Sequence, residues 1–317
     1  MKKIDLSTNI NGIKLSLCIM NASGALCCTY KDLYNLLNSS SGAIVTKSCT
    51  KNPRIGNLSP RYIEWNIGSI NSMGLPNLGI DFYLDFFRKK KNNKPVFLSI
   101  SGLSIKENYF LIKKASSSSN IDALEINLSC PNIIENNEIL GYNFNYVSKF
   151  LENIFKFNND KPIGLKLPPY FNNIHIEIMS SIISKFPISF ITCINSLPYG
   201  LVIDSYKEST VIFPNNGIGG IGGKIIKPFA LSNIFNFYSI LKNKVSIIGC
   251  GGITSGKDIF DHILCGATAV QIGTEFVNKG VVIFDKLKKE FTKFLLKKGY
   301  SSLDEFRGNL KQISSKL

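Results

Sequence analysis

The chain has 317 residues, 44% of them hydrophobic and 19% charged, with 25 Gly, 12 Pro and 8 Cys. That composition excludes wholesale disorder, and no apolar run approaches the roughly 18 residues a membrane-spanning helix needs. The net charge of +15 rests on 37 Lys and Arg, of which only Arg54, Arg61, Arg88 and Arg307 are arginines. Scattered lysines without the bidentate arginine fork argue for compositional drift toward Lys, Asn and Ile, so neither nucleic acid nor a membrane is expected as a partner.

The predicted elements alternate along the chain. The opening apolar run, 15–20, is broken by Ser16 and too weak for a signal peptide, so a soluble, cytoplasmic protein is expected. A strand at 17–21 precedes an amphipathic stretch at 30–37. A second strand, 43–46, leads into a long Asn-, Gly- and Pro-rich connection, 47–79, and a helix at 82–91. Strands at 96–100, 123–127 and 163–167 are each followed by a helix, at 106–117, 145–157 and 173–185. The strand at 190–194 opens a second long connection, 195–227, before a helix at 228–241. Strands at 245–249 and 269–272 precede helices at 256–265 and 281–298. In the last of these Lys286, Lys289, Lys293 and Lys297 alternate with Leu287, Phe291, Phe294 and Leu295, a solvated face over an apolar one.

The strands read as nearly continuous apolar runs, as parallel strands buried on both faces do. Eight of them alternating with eight helices predict an α/β fold, a single (β/α)8 TIM barrel domain over 1–317, ahead of a doubly wound open sheet. Long connections after strands mark the carboxyl face, where such barrels carry their chemistry.

No cysteine pair has C-x-x-C spacing, so no metal or iron–sulfur site is expected, and Cys18, Cys193 and Cys250 sit in apolar runs as small hydrophobes. Three glycine-rich turns, at 219–223, 249–252 and Gly273-Thr274, fall at neighbouring strand ends. Glycine lets a backbone approach a ligand closely, so together they predict phosphate binding. Lys47 and Lys166 lie in apolar strand contexts, where an ammonium is costly unless it meets an anion. Asn127-Leu128-Ser129-Cys130-Pro131-Asn132 leaves a strand at the carboxyl face. It reads either as a turn with a half-buried thiol or as an acid/base thiol flanked by amides that read a small polar ligand. His175 and His262 both fall in helical segments as surface or packing residues, so a Cys–His nucleophile pair finds no support.

Taken together, Asn21-Ala22-Ser23-Gly24, Thr46-Lys47-Ser48, the block from Gly68 to Asn77 (GSINSMGLPN), the Asn127–Asn132 run, Thr192-Cys193-Ile194-Asn195-Ser196 and Gly249-Cys250-Gly251-Gly252 resemble the dihydroorotate dehydrogenase family, class 1A, the soluble fumarate-linked form. The resemblance runs from about Leu15 to about Leu310. It implies an FMN-bearing barrel that oxidises (S)-dihydroorotate to orotate in pyrimidine synthesis, with fumarate reduced to succinate, working as a homodimer. Carried over by motif, Lys47, Asn71, Met73, Gly74, Leu75, Asn127, Asn132, Asn195 and Ser196 would hold the pyrimidine. Ala22, Ser23, Gly24, Lys47, Ser48, Asn127, Lys166, Ile194, Gly222, Gly223, Cys250, Gly251, Gly252, Gly273 and Thr274 would hold FMN, and Cys130 would be the general base. Lys166 would sit near the flavin's N1–O2 edge.

The chain departs from the family pattern at Cys49, at 133–140 and at 197–209, which touch loop behaviour more than chemistry. Among rivals, class 1B enzymes lack the Ser-Met-Gly-Leu-Pro-Asn wording and pass electrons to a second subunit. Class 2 enzymes use a serine base and carry an N-terminal membrane-associated helical pair for which the chain has no room. A tRNA dihydrouridine synthase would need a C-terminal RNA-binding domain, and only a short stretch follows the last predicted strand.

Overall fold

The computed structural model describes residues 4–89, 93–129, 139–156 and 160–313. Eight parallel strands form its centre: β1 Ile19–Asn21, β2 Ile44–Val45, β3 Val96–Ile100, β4 Ala123–Asn127, β5 Ile163–Lys166, β6 Phe190–Cys193, β7 Ser246–Cys250 and β8 Ala269–Ile272. They are hydrogen-bonded in sequence order from β2 through β8 and then to β1. Between β1 and β2 the ladder is replaced by a side chain. The Asn21 amide accepts from Val45 N at 2.9 Å and donates to Val45 O at 2.7 Å, which closes the ring. The (β/α)8 barrel is therefore the fold.

Helices surround it: α1 Tyr30–Leu37, α2 Gly79–Lys89, α3 Ile105–Ser116, α4 Phe144–Phe155, α5 Asn173–Ile183, α6 Lys227–Leu241, α7 Gly256–Leu264, α8 Thr274–Lys279 and α9 Val282–Lys298. Each of the long ones turns an apolar stripe inward. Leu287, Phe291 and Leu295 of α9, for example, recur at i and i+4 and are fully buried. Side-chain caps set the starts of α1, α3, α4, α5 and α7, with reciprocal capping boxes at Thr29–Asp32 and Ser255–Asp258.

The strand period of two decides what fills the barrel. Ala123, Phe190 and Ala269 occupy its amino-terminal layer with Phe97 and Ile248, and an antiparallel hairpin, Thr8–Ile10 with Ile13–Leu15, packs Ile10 and Leu15 into the same cluster. Gly164 is required there: a Cβ would lie 2.2 Å from the Phe190 ring. Two residues further along, the layer is polar, built from Glu125, Lys166, Thr192 and Gln271, all buried. The next step reaches the carboxyl mouth at Asn127 and Ile194, which line the cavity described below.

The two long connections are not loops. They supply a four-stranded antiparallel sheet in the spatial order Leu197–Leu201, Ile218–Gly222, Gly68–Asn71, Tyr62–Trp65, with a small hairpin, Ile203–Asp204 and Ser209–Thr210, beside it. The glycine run expected to be a turn at 219–223 is mostly a strand. Its glycines are there for close packing, since a Cβ at Gly219 would lie 2.5 Å from Asn71 O and one at Gly220 2.3 Å from Ser196 Oγ. The final helical stretch is preceded by a separate one-and-a-half-turn helix, α8, that periodicity did not reveal.

Candidate active site

A cavity of about 1280 Å³ opens at the carboxyl ends of the strands, roofed by the four-stranded sheet. Among the described residues every position that the sequence assigned to the pyrimidine or to the flavin lines it. Ala22, Ser23 and Gly24 come from the end of β1, and Lys47 and Ser48 from the end of β2. Asn71, Met73, Gly74 and Leu75 descend from the sheet. Asn127 and Lys166 end β4 and β5, and Ile194, Asn195 and Ser196 follow β6. Gly222 and Gly223, Cys250 with Gly251 and Gly252, and Gly273 with Thr274 close one side. Cys130 and Asn132 lie outside the described residues, whereas Ser129 and Ile139 on either side both line the cavity.

The amides are held by their neighbours. Asn127 Nδ2 donates to Ser48 Oγ at 3.4 Å, and its Oδ1 accepts from Ser129 N at 3.0 Å and from Asn195 Nδ2 at 3.5 Å. Asn71 Nδ2 donates to Gly220 O at 3.0 Å, which ties the first long connection to the second. Ser48 is further fixed by Ser99, Oγ to Oγ at 2.9 Å.

The Met73–Leu75 segment is pinned from behind. Asn77, buried, donates to Thr50 Oγ1 and to Leu75 O, each at 2.9 Å, and accepts from Gly79 N. Gly74 has φ +70°, and a Cβ there would lie 2.3 Å from Asn57 Oδ1. Arg61 donates from Nη1 to Ile55 O and Asn57 O, so it fastens the same rim.

Two buried lysines bring positive charge to the cavity. Lys47 is 8% exposed and Lys166 3%. An ammonium so enclosed needs an anionic or hydrogen-bonding partner, and Lys166 Nζ donates to Gln271 Oε1 at 2.9 Å. Gln271, Glu125 and Thr192 are absent from the site read off the sequence. The signal was available, for a Gln and a Glu inside otherwise apolar strands (AVQI, ALEIN) are as costly as a Lys and demand the same explanation.

Cys27 and Cys28 also line the cavity, and burial pushes both thiols up, Cys27 to about 12. Neither is poised to take a proton near neutrality. His262 is buried in α7, away from the cavity lining, and His175 packs against Phe144 with ring centres 5.2 Å apart.

The cavity wall suits a planar group carrying a phosphate. Three glycine-containing strand ends meet on one side without side chains. Gly251 has φ +135° and Gly252 φ +73°, and a Cβ at Gly252 would lie 2.9 Å from the Lys227 backbone. Behind them Lys227 pairs with Asp258 at 2.5 Å and Asp261 at 2.6 Å, and Asp258 also accepts from Thr254 N and Ser255 N. The turn after β7 is thereby anchored to α6 and α7.

The family model for dihydroorotate dehydrogenase matches residues 5–295. The chain is 47% identical over 313 residues to the probable dihydroorotate dehydrogenase A (fumarate) of Enterococcus faecalis, covering 98% of this chain and all of that one. It is 48% identical over 298 residues to dihydroorotate dehydrogenase (fumarate) of Saccharomyces cerevisiae, covering 93% and 94% of the two chains. The same identity holds with dihydroorotate dehydrogenase A (fumarate) of Lactococcus lactis subsp. lactis, covering 93% and 95%. Among solved structures, the dihydroorotate dehydrogenase of Eimeria tenella in complex with ferulenol superposes with a TM-score of 0.79 at 17% identity, over 98% of this chain and 90% of that one. At that identity the likeness speaks for the barrel alone.

Proposed function

Because the chain belongs to the dihydroorotate dehydrogenase family, in its class 1A, fumarate-linked branch, we propose that the cavity at the barrel mouth is its active site and that the flavin it holds is FMN. The enzyme oxidises dihydroorotate to orotate in pyrimidine biosynthesis, with fumarate as the electron acceptor. The class 1B and tRNA dihydrouridine synthase alternatives gain no support, since relatives carrying the fumarate-linked name align along nearly the whole chain.

The observation that carries the site is the convergence on one cavity of the glycine strand ends, two buried lysines and the amides of Asn71, Asn127 and Asn195. In this reading Gly222, Gly223, Gly251, Gly252, Gly273 and Thr274 hold the phosphate, and Ala22, Ser23, Gly24, Ser48, Ile194 and Cys250 border the ring system. Asn71, Asn127, Asn132, Asn195 and Ser196 orient the pyrimidine through its amide edges, with Met73, Gly74 and Leu75 against its face. Lys47 meets the substrate carboxylate. Bound flavin supplies the hydride acceptor. Cys130 removes the proton from C5, and Lys166 places a positive charge where electron density accumulates.

In this proposal 1–317 is a single barrel domain. A homodimer is part of the same proposal, because Tyr199, Leu201, Ile203, Tyr206 and Phe213 leave apolar surface exposed on the second long connection. Sedimentation as a monomer at micromolar concentration would remove that part. A cytoplasmic location accords with the free thiols of the described cysteines, as a reducing compartment keeps them.

Anaerobic spectroscopy tests the whole reading. The purified protein should be yellow, lose its visible absorbance on adding dihydroorotate, and regain it with fumarate. A colourless protein that cannot be reconstituted with FMN, or a yellow one that dihydroorotate does not bleach, would end it.

A further inference from the structure

The polar layer inside the barrel holds two opposite charges apart. Lys166 Nζ on β5 donates to Gln271 Oε1 on β8 at 2.9 Å, and Gln271 Nε2 donates to Glu125 Oε2 on β4 at 2.7 Å. Thr192 Oγ1 on β6 donates to the same carboxylate oxygen at 2.8 Å. The other oxygen, Glu125 Oε1, is buried without a hydrogen-bond partner among the described residues. Lys166 and Gln271 line the cavity, whereas Glu125 lies beneath it.

An ammonium can only donate and a carboxylate can only accept, so the amide between them has one allowed orientation, oxygen toward Lys166 and nitrogen toward Glu125. In a low-dielectric interior opposite charges attract strongly. Glu125 has an unused oxygen to offer, so a direct Lys166–Glu125 pair is the natural competitor to the observed arrangement. Among the described residues the Cys193 thiol on β6 is another titratable group near Lys166. Burial raises it well above its ordinary range despite the nearby lysine, so it is uncharged and does not compete.

We propose that Gln271 is a positioning residue, a spacer that keeps the Lys166 ammonium at the cavity and prevents it from dropping onto Glu125. The geometric part stands on the side chains alone. Its chemical consequence rests on the flavin reading above: a positive charge beside a bound flavin favours its reduction, so the flavin's midpoint potential depends on where Gln271 holds the lysine.

Gln271→Ala tests both parts. In the crystal structure of the flavin-free variant, Lys166 Nζ should lie in direct contact with the Glu125 carboxylate; an ammonium still directed into the cavity overturns the proposal. In the flavin-loaded variant, the equilibrium for two-electron reduction should fall about tenfold, a midpoint lower by about 30 mV. The same substitution in a Glu125→Gln background should leave the potential almost where Glu125→Gln alone sets it, because no carboxylate remains to draw the lysine. A residue that merely fills space predicts equal effects in both backgrounds, and that result, or an unchanged potential in the single variant, overturns the spacer role. Should Gln271→Ala fail to accumulate, Gln271→Asn is too short to bridge both partners and should give the same fall, with an unchanged potential again counting against the proposal. A wild-type protein without flavin would fail the functional reading, while the flavin-free crystal structure would still decide the spacer.

Discussion

Asn21 and Val45 are joined by a two-point side-chain bridge: the Asn21 amide satisfies both the N–H and the C=O of Val45, at 2.9 and 2.7 Å, where β1 and β2 share no ladder. A parallel pair would normally do this with main chain alone. Here a single main-chain bond, from Gly42 N to Ile19 O at 2.8 Å, crosses the seam just before β2, and the Asn21 amide completes the ring. The same strand end then delivers Lys47 and Ser48 to the cavity, so the bridge couples barrel closure to the site.

Replacing Asn21 by Leu should therefore destabilise strongly. It leaves a buried donor and a buried acceptor on Val45 unpaired, at about 1–3 kcal/mol each. Urea unfolding should show a loss of at least about 2 kcal/mol. A loss below about 0.5 kcal/mol, the range of an ordinary surface change, would mean that the seam is held by other contacts.

Much of the barrel was legible because its strands are buried on both faces. The strands at 96–100, 123–127 and 269–272 match to the residue, since a run that is apolar at nearly every position has clear ends even with one polar residue inside it. The sheet over the mouth was not legible. Its strands carry Gly200, Gly219, Gly220 and Gly222, whose missing side chains permit close strand packing and at the same time erase the alternation that marks a strand. At the site, motif resemblance brought the described candidates to one cavity. What it left out, Glu125, Thr192 and Gln271, forms the polar layer beneath the carboxyl mouth, where polar residues support their neighbours; Thr192 only opens a quoted motif, and Glu125 and Gln271 stand in none.

Gly251→Val should abolish flavin retention. The backbone at φ +135° disfavours any side chain, and a Cβ would lie 2.9 Å from Ala230 Cβ and 3.2 Å from Ile226 Cδ1. Gel filtration should return a protein with little visible absorbance but with far-ultraviolet circular dichroism close to wild type. Full flavin occupancy in the variant would show that this turn does not hold the cofactor.

Acid should unfold the protein through His262. Burial pushes the imidazole down to about 4 from an ordinary 6.5, while Nδ1–H donates to Asp258 O at 2.8 Å. The unfolded chain takes up that proton first, so stability is complete above about 6.5 and declines as the pH falls toward 4, by up to about 3 kcal/mol. Asp258 adds a second loss at lower pH. Burial raises its carboxyl, but Lys227 and the Thr254 and Ser255 donors more than offset this and hold it at about 2. Urea midpoints for wild type and His262→Asn across this range provide the check. The variant should be less stable at neutral pH yet show a flatter slope between 6.5 and 4, and parallel slopes would clear His262 of the acid lability.

The base assignment carries the most chemistry, because Cys130 is expected to take the C5 proton while the hydride leaves C6. An unperturbed thiol, with a pKa of about 8.5, is only a few per cent thiolate at neutrality, so flavin reduction should accelerate as the pH rises toward the thiol's value in the complex. Among the cavity's described thiols Cys27 and Cys28 are poor substitutes, since Cys27 is raised to about 12 by burial and Cys28 is raised as well. Cys130→Ala should leave flavin and orotate binding nearly intact, as the proposed site assigns these to the glycine turns and to Asn71, Asn127 and Asn195. Its rate of flavin reduction by dihydroorotate should nevertheless drop by about 10²–10⁴, the usual worth of a positioned base. Cys130→Ser should also be slow, because a hydroxyl is a far weaker base at neutral pH. A thiol that only packs would instead lower stability and leave the reduction rate unchanged. Stopped-flow reduction of the Cys130→Ala protein separates the two: a rate near wild type removes Cys130 from the chemistry and leaves the proton without an assigned acceptor.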